Sequence, residues 1–406
     1  MFFKILCLDG GGARGIISAR ILQEVETFIQ QETGKPLNQY FDMIAGTSTG
    51  SIIAAGLATG MSPSQLVNLY QEDGMTIFPY TSYFSPKRLS HVLKYKSSLL
   101  ASAFQGIESH KNQSALSQTI KREQLLSLFK RCPKFSHDGL TGVLKKRLGD
   151  CKIKDIKHPR LLILAYDTFY RNTTFFNSHH PEANRWFDNF ELWQICTSSS
   201  SAPTFFPPYE FRWKDADGEE WSFPHVDGGV SSNNPAMAAL IHALSVENHK
   251  LEDISILSVG TGRTTAPFEY QQVKSWGTLD WAKQIPNVFM GGQLQMAADL
   301  CREILLAANP KSYLRLQFEL NQRLSSQKTP TSPHEIFSAE EAVNEYTKKH
   351  VSEAIDDASP TNLQDLLSTT EAFLNSSDYL EVDGKSFTVK EAIANFVTNN
   401  SQVSVV

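Results

Sequence analysis

Residues 40–55 read YFDMIAGTSTGSIIAA, and the rest of the chain is organised around them. Phe41–Ala45 is a short apolar run typical of a buried strand, and Ser51–Thr59 is typical of a helix. Between them lies Gly46-Thr47-Ser48-Thr49-Gly50, a G-x-S-x-G pattern. A turn that passes from strand to helix strains and exposes its central residue, and flanking glycines let the backbone bend. We interpret Ser48 as a candidate nucleophile, although an ordinary Gly/Ser/Thr turn has the same pattern.

The remaining pattern predicts an α/β fold with a mostly parallel central sheet flanked by helices, because predicted strands alternate with helices. Further strands are predicted at Phe2–Leu8, Arg160–Tyr166, Trp221–Val226 and Ile254–Val259. Beyond about residue 265 the strand signals stop. We therefore divide the chain into an α/β core over residues 1–265 and a helical C-terminal part over residues 266–406 that packs on the core.

A basic segment interrupts the predicted core. Residues 83–134 contain ten Lys and Arg residues and two Glu residues, a net charge of +8, although the whole chain carries −5. Amphipathic helices are predicted after Ser85-Pro86 and at Ile120–Phe129, so we interpret residues 83–150 as a helical insertion. The charge suits either an anionic partner such as a membrane surface or a solvated helical face. A lid, a membrane contact and a contact between identical subunits all remain open for this insertion.

The composition of the chain indicates in which cellular compartment the protein is expected. No apolar run approaches the roughly 18 residues that a membrane-spanning helix needs, and the N-terminal MFFKILCLDGGG lacks the pattern of a signal peptide. The five cysteines form no C-x-x-C pair, which predicts neither a disulfide framework nor a metal site. We expect a cytoplasmic protein, associated at most peripherally with a membrane.

The glycine loop after the first predicted strand has two interpretations. Gly10, Gly11 and Gly12 lie before a helix, where backbone N–H groups and the helix dipole attract negative charge, so they can form an oxyanion hole. Gly10-x-Gly12-x-x-Gly15 also fits the dinucleotide-binding fingerprint, which needs an acidic residue at the end of the second strand. The chain places Ser48 at that position, which favours the oxyanion hole.

Asp227 is the candidate base for Ser48. It ends a predicted strand and precedes two glycines, whereas His242 and His249 lie in a predicted helix and His225 lies inside the strand. Because active sites of parallel sheets lie at the carboxyl ends of their strands, we expect the glycine loop, Ser48 and Asp227 to meet at one edge. A carboxylate acting as base needs its pKa raised from about 3.9 by desolvation. The alternative is that Asp227-Gly228 is only a turn.

Four motifs in this order resemble the patatin-like phospholipase family, which includes plant patatins. They are Asp9-Gly-Gly-Gly-Ala-Arg-Gly15, Gly46-Thr-Ser-Thr-Gly50, Ala202-Pro-Thr-Phe-Phe-Pro-Pro208 and Asp227-Gly-Gly-Val-x-x-Asn-Asn-Pro235. The similarity continues through Leu257–Gly262, Trp276-Gly277 and Tyr313–Leu316, and so covers roughly residues 1–320. The basic segment and the absence of a signal peptide depart from plant patatins.

The resemblance implies a calcium-independent lipid acyl hydrolase with a serine–aspartate dyad, releasing fatty acids from phospholipids or related glycerolipids. Carried over by motif, Ser48 is the nucleophile, Asp227 the base, and Gly10–Gly12 with Arg14 the oxyanion and anion site. We expect no cofactor, no metal and no nucleic acid, and a lipid at a membrane surface as partner. Two alternatives are an effector of the same chemistry activated by a ligand or partner, and a non-catalytic storage or binding protein.

Overall fold

A central eight-stranded sheet organises the protein. The computed structural model describes residues 2–80, 90, 92, 132–180, 185–264, 268, 270–321, 343–377, 380–382 and 385–401. Within these residues the strands are β1 Phe3–Leu8, β2 Met43–Thr47, β3 Arg160–Asp167, β4 Asn172–Asn177, β5 Tyr209–Lys214, β6 Glu220–Asp227, β7 Ile254–Val259, β8 Arg263–Thr264, β9 Tyr313–Leu316, β10 Glu319–Asn321, β11 Leu380–Val382 and β12 Lys385–Phe387.

Helices cover both faces of this sheet. The described helices are α1 Gly15–Thr33, α2 Leu37–Tyr40, α3 Thr49–Ala58, α4 Pro63–Ile77, α5 His137–Leu148, α6 Leu192–Ser199, α7 Gly229–Ser232, α8 Ala236–Ser245, α9 Tyr270–Val273, α10 Thr278–Ala308, α11 Pro360–Leu374 and α12 Val389–Ser401. Alternate side chains of β1 enter two cores: Leu6 and Leu8 pack with α1, α3 and α4, while Ile5 and Cys7 pack with α8 and α10. The predicted α/β layers are therefore present, because strands buried on both faces need helices on each side.

The sheet is mostly parallel, as predicted. Its order is β5-β6-β3-β2-β1-β7-β9, with β4 also paired to β3. The pairs among β3, β2, β1, β7 and β9 are parallel, and β4, β5 and β6 join antiparallel. The expectation that strands stop at about residue 265 was wrong, since β9 pairs with β7. The C-terminal part is therefore not purely helical: it supplies an edge strand of the main sheet.

Strands β2 and β6 meet end to end along one edge of β3. Residues 162–164 of β3 pair with both β4 and β2, and residues 165–167 pair with both β4 and β6, so β2 and β6 share the edge opposite β4. The last residue of β2, Thr47, lies opposite Leu164, and the last residue of β6, Asp227, lies opposite Ala165. Asp227 therefore reaches the edge predicted for it, but on an antiparallel strand and not on the parallel strand that we expected.

Several sequence-based predictions fall outside the described residues. They are the helices predicted after Ser85 and at 120–129, which make up most of the basic segment 83–134. The C-terminal end of the predicted insertion is described, and it forms α5. A capping box begins α12, because the Glu391 N–H donates to Thr388 Oγ1 (3.1 Å) and the Thr388 N–H donates to Glu391 Oε2 (2.8 Å). In the described part of the chain, no helix combines the length and the apolar character needed to cross a bilayer.

A buried ion pair joins β9 to the end of β1. Asp9 is fully buried, and Arg315 Nη1 donates to Asp9 Oδ1 (3.0 Å) and to Ser258 Oγ (2.7 Å), while Nη2 also contacts the Asp9 carboxylate. Burial raises the pKa of Asp9, and the charge of Arg315 opposes that rise. The charge of Arg315 thus compensates for the loss of hydration of the buried Asp9 carboxylate.

We predict that Arg315→Met lowers the free energy of unfolding by about 3–5 kcal/mol, because it leaves the Asp9 carboxylate buried without its partner. Urea unfolding at neutral pH measures the loss. Lys214→Met is the matched control, since it breaks a 2.8 Å pair with Glu220 whose two side chains are 67% and 70% exposed. The control should lose less than about 1 kcal/mol. Equal losses in the two variants would contradict a structural role for the buried pair.

Candidate active site

Ser48 occupies a strained turn between β2 and α3. Its φ of 54° and ψ of −126° lie in a region that non-glycine residues rarely adopt. A Cβ on Gly46 would lie 2.3 Å from the Gly50 carbonyl oxygen, and one on Gly50 would lie 2.1 Å from the Leu8 carbonyl oxygen. Both glycines are therefore required by close packing, as the G-x-S-x-G interpretation predicts. Ser48 is only 7% exposed, and it lines a cavity of the protein.

The Ser48 hydroxyl donates a hydrogen bond to Asp227 Oδ2 over 2.6 Å. The other carboxylate oxygen, Oδ1, accepts the Gly229 N–H at 2.7 Å. Burial raises the pKa of Asp227 to about 6, and the bonds from Ser48 and Gly229 limit the rise. The structure thus brings together the two side chains that the sequence singled out, with the desolvated carboxylate that a base needs.

The three histidines considered in the sequence, His225, His242 and His249, contact groups other than Ser48. His225 is buried between Thr174 Oγ1 (2.8 Å from Nε2) and the Phe223 carbonyl (3.0 Å from Nδ1). His242 lies beside Glu247, and His249 stacks on the ring of Phe3. Among the described residues, no histidine forms a hydrogen bond with Ser48.

The end of α6 holds both halves of the Ser48–Asp227 pair, which the sequence did not predict. The Ser48 N–H donates to Ser199 Oγ (2.9 Å), and that hydroxyl donates to the Leu164 carbonyl of β3 (2.6 Å). The Asp227 N–H donates to the Ser201 carbonyl (3.0 Å). The only hint of these contacts in the sequence is the four-serine run 198–201, and such runs are common. The register of β3 is needed to show that Ser199 and Ser201 hold Ser48 and Asp227.

The glycine loop packs tightly beside Ser48. A Cβ on Gly11 would lie 2.2 Å from Thr261 Oγ1, and one on Gly12, whose φ is +59°, would lie 2.0 Å from the Ile355 carbonyl oxygen. The Gly10 N–H donates to the Asn233 carbonyl (3.0 Å), so Gly10 does not offer the free donor that we expected from it. The N–H groups of Gly11 and Gly12 bond to no acceptor within the described part of the chain.

Arg14 is a buried cation at the same cavity. Its side chain donates to the Glu353 carbonyl at 3.4 Å, and no described carboxylate forms a salt bridge with it. Burial lowers its pKa to about 10, and the charge of Glu353 opposes that fall, so Arg14 stays charged at neutral pH. A buried guanidinium that forms no salt bridge within the described chain suits an anionic ligand group.

A distant segment supports this loop from the other side. The Ala13 N–H donates to the Ile355 carbonyl (2.7 Å), and the next residue, Asp356, forms a buried ion pair with Lys134. The Lys134 N–H in turn donates to the Thr204 carbonyl, which belongs to the cavity lining (2.9 Å). Lys134, the last residue of the basic segment, therefore connects the cavity wall to the segment that supports the glycine loop.

Ser48 and Asp227 face a cavity of about 870 Å³. Apolar side chains from α3, α5, α10, the end of α4, the loop after α6 and the segment before α11 form most of its wall: Ile52, Ile77, Phe78, Leu140, Pro203, Phe205, Phe206, Met290, Leu294 and Ile355. Polar groups concentrate at Ser48, Asp227, the glycine loop and Arg14. The cavity therefore suits a ligand with a long apolar part and one polar group near Ser48. In the residues described, no group of three or more His, Cys, Asp and Glu side chains could hold a metal ion.

We predict that Asp227→Asn raises the free energy of unfolding at pH 8, by about 2–3 kcal/mol, because the folded pKa of about 6 exceeds the unfolded value of about 3.9. In the wild type, ionised Asp227 lowers the free energy of unfolding. This destabilisation disappears as pH falls from 6 to 4, because the folded state binds the proton at a higher pH than the unfolded state. Urea unfolding should therefore show a stabilised variant at pH 8 and a smaller difference at pH 4. A destabilised variant at pH 8 would contradict the desolvation of Asp227.

Known proteins similar to this chain share one family. The family model described as "Patatin-like phospholipase" matches residues 6–240. Patatin-like protein 1 of Arabidopsis thaliana is 31% identical over 299 residues, which cover 68% of this chain and 63% of that protein, so this chain spans less than two thirds of it. Patatin-like protein 1 of Oryza sativa subsp. indica is 28% identical over 344 residues, 77% of this chain and 73% of that protein.

Among solved structures, VipD from Legionella pneumophila aligns with a TM-score of 0.32 and 14% identity, over 91% of this chain and 67% of that chain. The family match covers more than half of the sequence and includes the glycine loop, the Ser48 turn and Asp227. The chain therefore belongs to the patatin-like phospholipase family.

Proposed function

We propose that this protein hydrolyses fatty-acyl esters of phospholipids or related glycerolipids through an acyl intermediate on Ser48. The observation that carries the proposal is the 2.6 Å hydrogen bond from Ser48 to the buried Asp227, at one side of a large apolar cavity. A serine hydroxyl needs a neighbouring base, and a desolvated carboxylate with a pKa of about 6 suits that role at neutral pH.

In the proposed acylation, Asp227 takes the proton of Ser48 while the serine oxygen attacks the ester carbonyl. The negative oxygen that develops faces the N–H groups of Gly11 and Gly12, and removing one such donor typically costs a factor of about 100–1000 in rate. The intermediate collapses, and the leaving alcohol takes the proton back from Asp227. Water then attacks the acyl-enzyme with Asp227 again as base, which releases the fatty acid and restores Ser48.

Two features support a lipid with an anionic head group at a membrane surface. Arg14 offers a buried charge near the reacting centre, where a phosphate group of the substrate would be held. Helix α10 lines the cavity with Met290 and Leu294, and on the same helix Trp281, Val288 and Met296 are exposed. Exposed aromatic and apolar side chains beside a cavity suit contact with a bilayer.

The direct test is labelling with a fluorophosphonate probe together with turnover of a short-chain nitrophenyl ester. We predict that the wild type is labelled and active, that Ser48→Ala abolishes labelling, and that both Ser48→Ala and Asp227→Asn lower turnover by at least about 1000-fold. A chelator should leave wild-type turnover unchanged. Labelling that persists in Ser48→Ala would exclude Ser48 as the nucleophile.

The pH dependence gives a separate test of the base. We predict that kcat/KM falls as pH drops through about 6, because protonated Asp227 cannot take the serine proton. Tyr70, which lines the cavity, offers a control: its hydroxyl bonds to Thr49 and its raised pKa keeps it protonated across this range. Tyr70→Phe should therefore keep the acidic limb, and a limb that moved in this variant would assign the pH dependence to another group.

A further inference from the structure

Asn233 lies between the candidate base and the glycine loop. It follows Asp227 by six residues, is 5% exposed and lines the cavity. Its carbonyl accepts the Gly10 N–H (3.0 Å), and its side-chain Nδ2 donates to the Gly10 carbonyl (3.4 Å). Exchanging the amide oxygen and nitrogen would place two oxygens together, so the amide orientation is fixed with Oδ1 on the other side.

Asn233 Oδ1 has no hydrogen-bond partner among the described residues, although it is buried. A Cβ on Gly229 would lie 2.9 Å from this oxygen and 3.0 Å from Asp227 Oδ1, and a Cβ on Gly10 would lie 2.2 Å from it and 3.1 Å from Ser48 Cβ. The oxygen therefore faces the same small space as the Ser48–Asp227 pair. A buried acceptor without a donor typically costs about 1–3 kcal/mol, so a donor is expected to reach it during the reaction.

We propose that Asn233 Oδ1 and Asp227 together hold the water molecule that hydrolyses the acyl-enzyme, an inference that rests on the proposed function. A water molecule has two O–H bonds, and these two acceptors take one each, which directs an oxygen lone pair at the acyl carbonyl carbon. The water oxygen forms the new C–O bond as Asp227 takes its proton. The tetrahedral intermediate then releases Ser48 Oγ, which takes the proton from Asp227, and the fatty acid leaves.

The proposal assigns Asn233 to one half of the reaction. In acylation the nucleophile is Ser48 itself, which already bonds to Asp227 and needs no bond to Asn233. In deacylation the nucleophile is a mobile molecule, and misplacing it by about 1 Å can cost a factor of about 100. Asn233→Leu keeps a similar shape and removes the Oδ1 acceptor, together with the long 3.4 Å bond from Nδ2 to the Gly10 carbonyl. It should therefore slow deacylation about 10- to 100-fold and leave acylation nearly unchanged.

Rapid mixing with a nitrophenyl ester separates the two steps, because nitrophenol is released on acylation. Asn233→Leu should show a burst of nitrophenol close to one equivalent, then a steady rate about 10- to 100-fold below wild type, and intact mass should show acyl-enzyme accumulating. Its rate of fluorophosphonate labelling should match wild type. Asn234→Ser is the control: Asn234 is also buried, but its Oδ1 accepts the Ala236 N–H and it does not line the cavity, so its variant should keep wild-type deacylation.

Two results would overturn the proposal. Labelling and the burst rate could fall in parallel with turnover, which would mean that Asn233 only holds the glycine loop. Deacylation could also remain at the wild-type rate. Either result would leave the proposed function standing, whereas wild-type turnover that survives Ser48→Ala would remove the proposed function itself.

Discussion

The structure depends on one edge of β3, where two strands that run in opposite directions end against each other. Strand β2 ends opposite Leu164 and β6 ends opposite Ala165, so consecutive residues of one strand set the distance between Ser48 and Asp227. The backbone pairing of β2 and β6 with β3 fixes this distance without a contribution from side chains. The Ser199 hydroxyl strengthens the same junction, because it bonds at once to the Ser48 N–H and to the Leu164 carbonyl. A short hydrogen bond between two buried groups can therefore persist without relying on either flexible side chain for its position.

This arrangement explains which parts of the site the sequence could predict. Ser48 and Asp227 each carry a local signal, a strand end with flanking glycines, and local signals suffice when backbone geometry alone places the residue. The residues that the sequence missed, Ser199 and the Ile355 segment, act through contacts between elements that are distant in the chain. Gly10 shows that this limit also applies to a residue that the sequence did identify. Its position in the loop was predictable, but the capture of its N–H by Asn233 depends on how two loops pack.

The missed strand β9 has a different physical cause. Its sequence, Tyr313-Leu-Arg-Leu316, is short and carries a charge in its middle, and a charge argues against a buried strand unless a partner is known. That partner is Asp9, about 300 positions earlier, at the end of β1. The ion pair thus lets a polar sequence join the sheet, and it also anchors the residue that precedes the glycine loop. The parallel order of β1, β2, β3 and β7 was predictable because their runs are largely apolar.

The site concentrates three features that a fold optimised only for stability would avoid. Ser48 holds a positive φ without being glycine, Asp227 is a carboxylate whose burial raises its pKa to about 6, and Asn233 Oδ1 is a buried acceptor without a partner in the described chain. Each is unfavourable on its own, and all three border one cavity, next to the N–H groups of Gly11 and Gly12. In the proposed reaction, these unsatisfied donors, the unsatisfied acceptor and the desolvated carboxylate are complementary to a reacting ester and a water molecule. The features that cost folding stability would then be the same features that favour the proposed transition state.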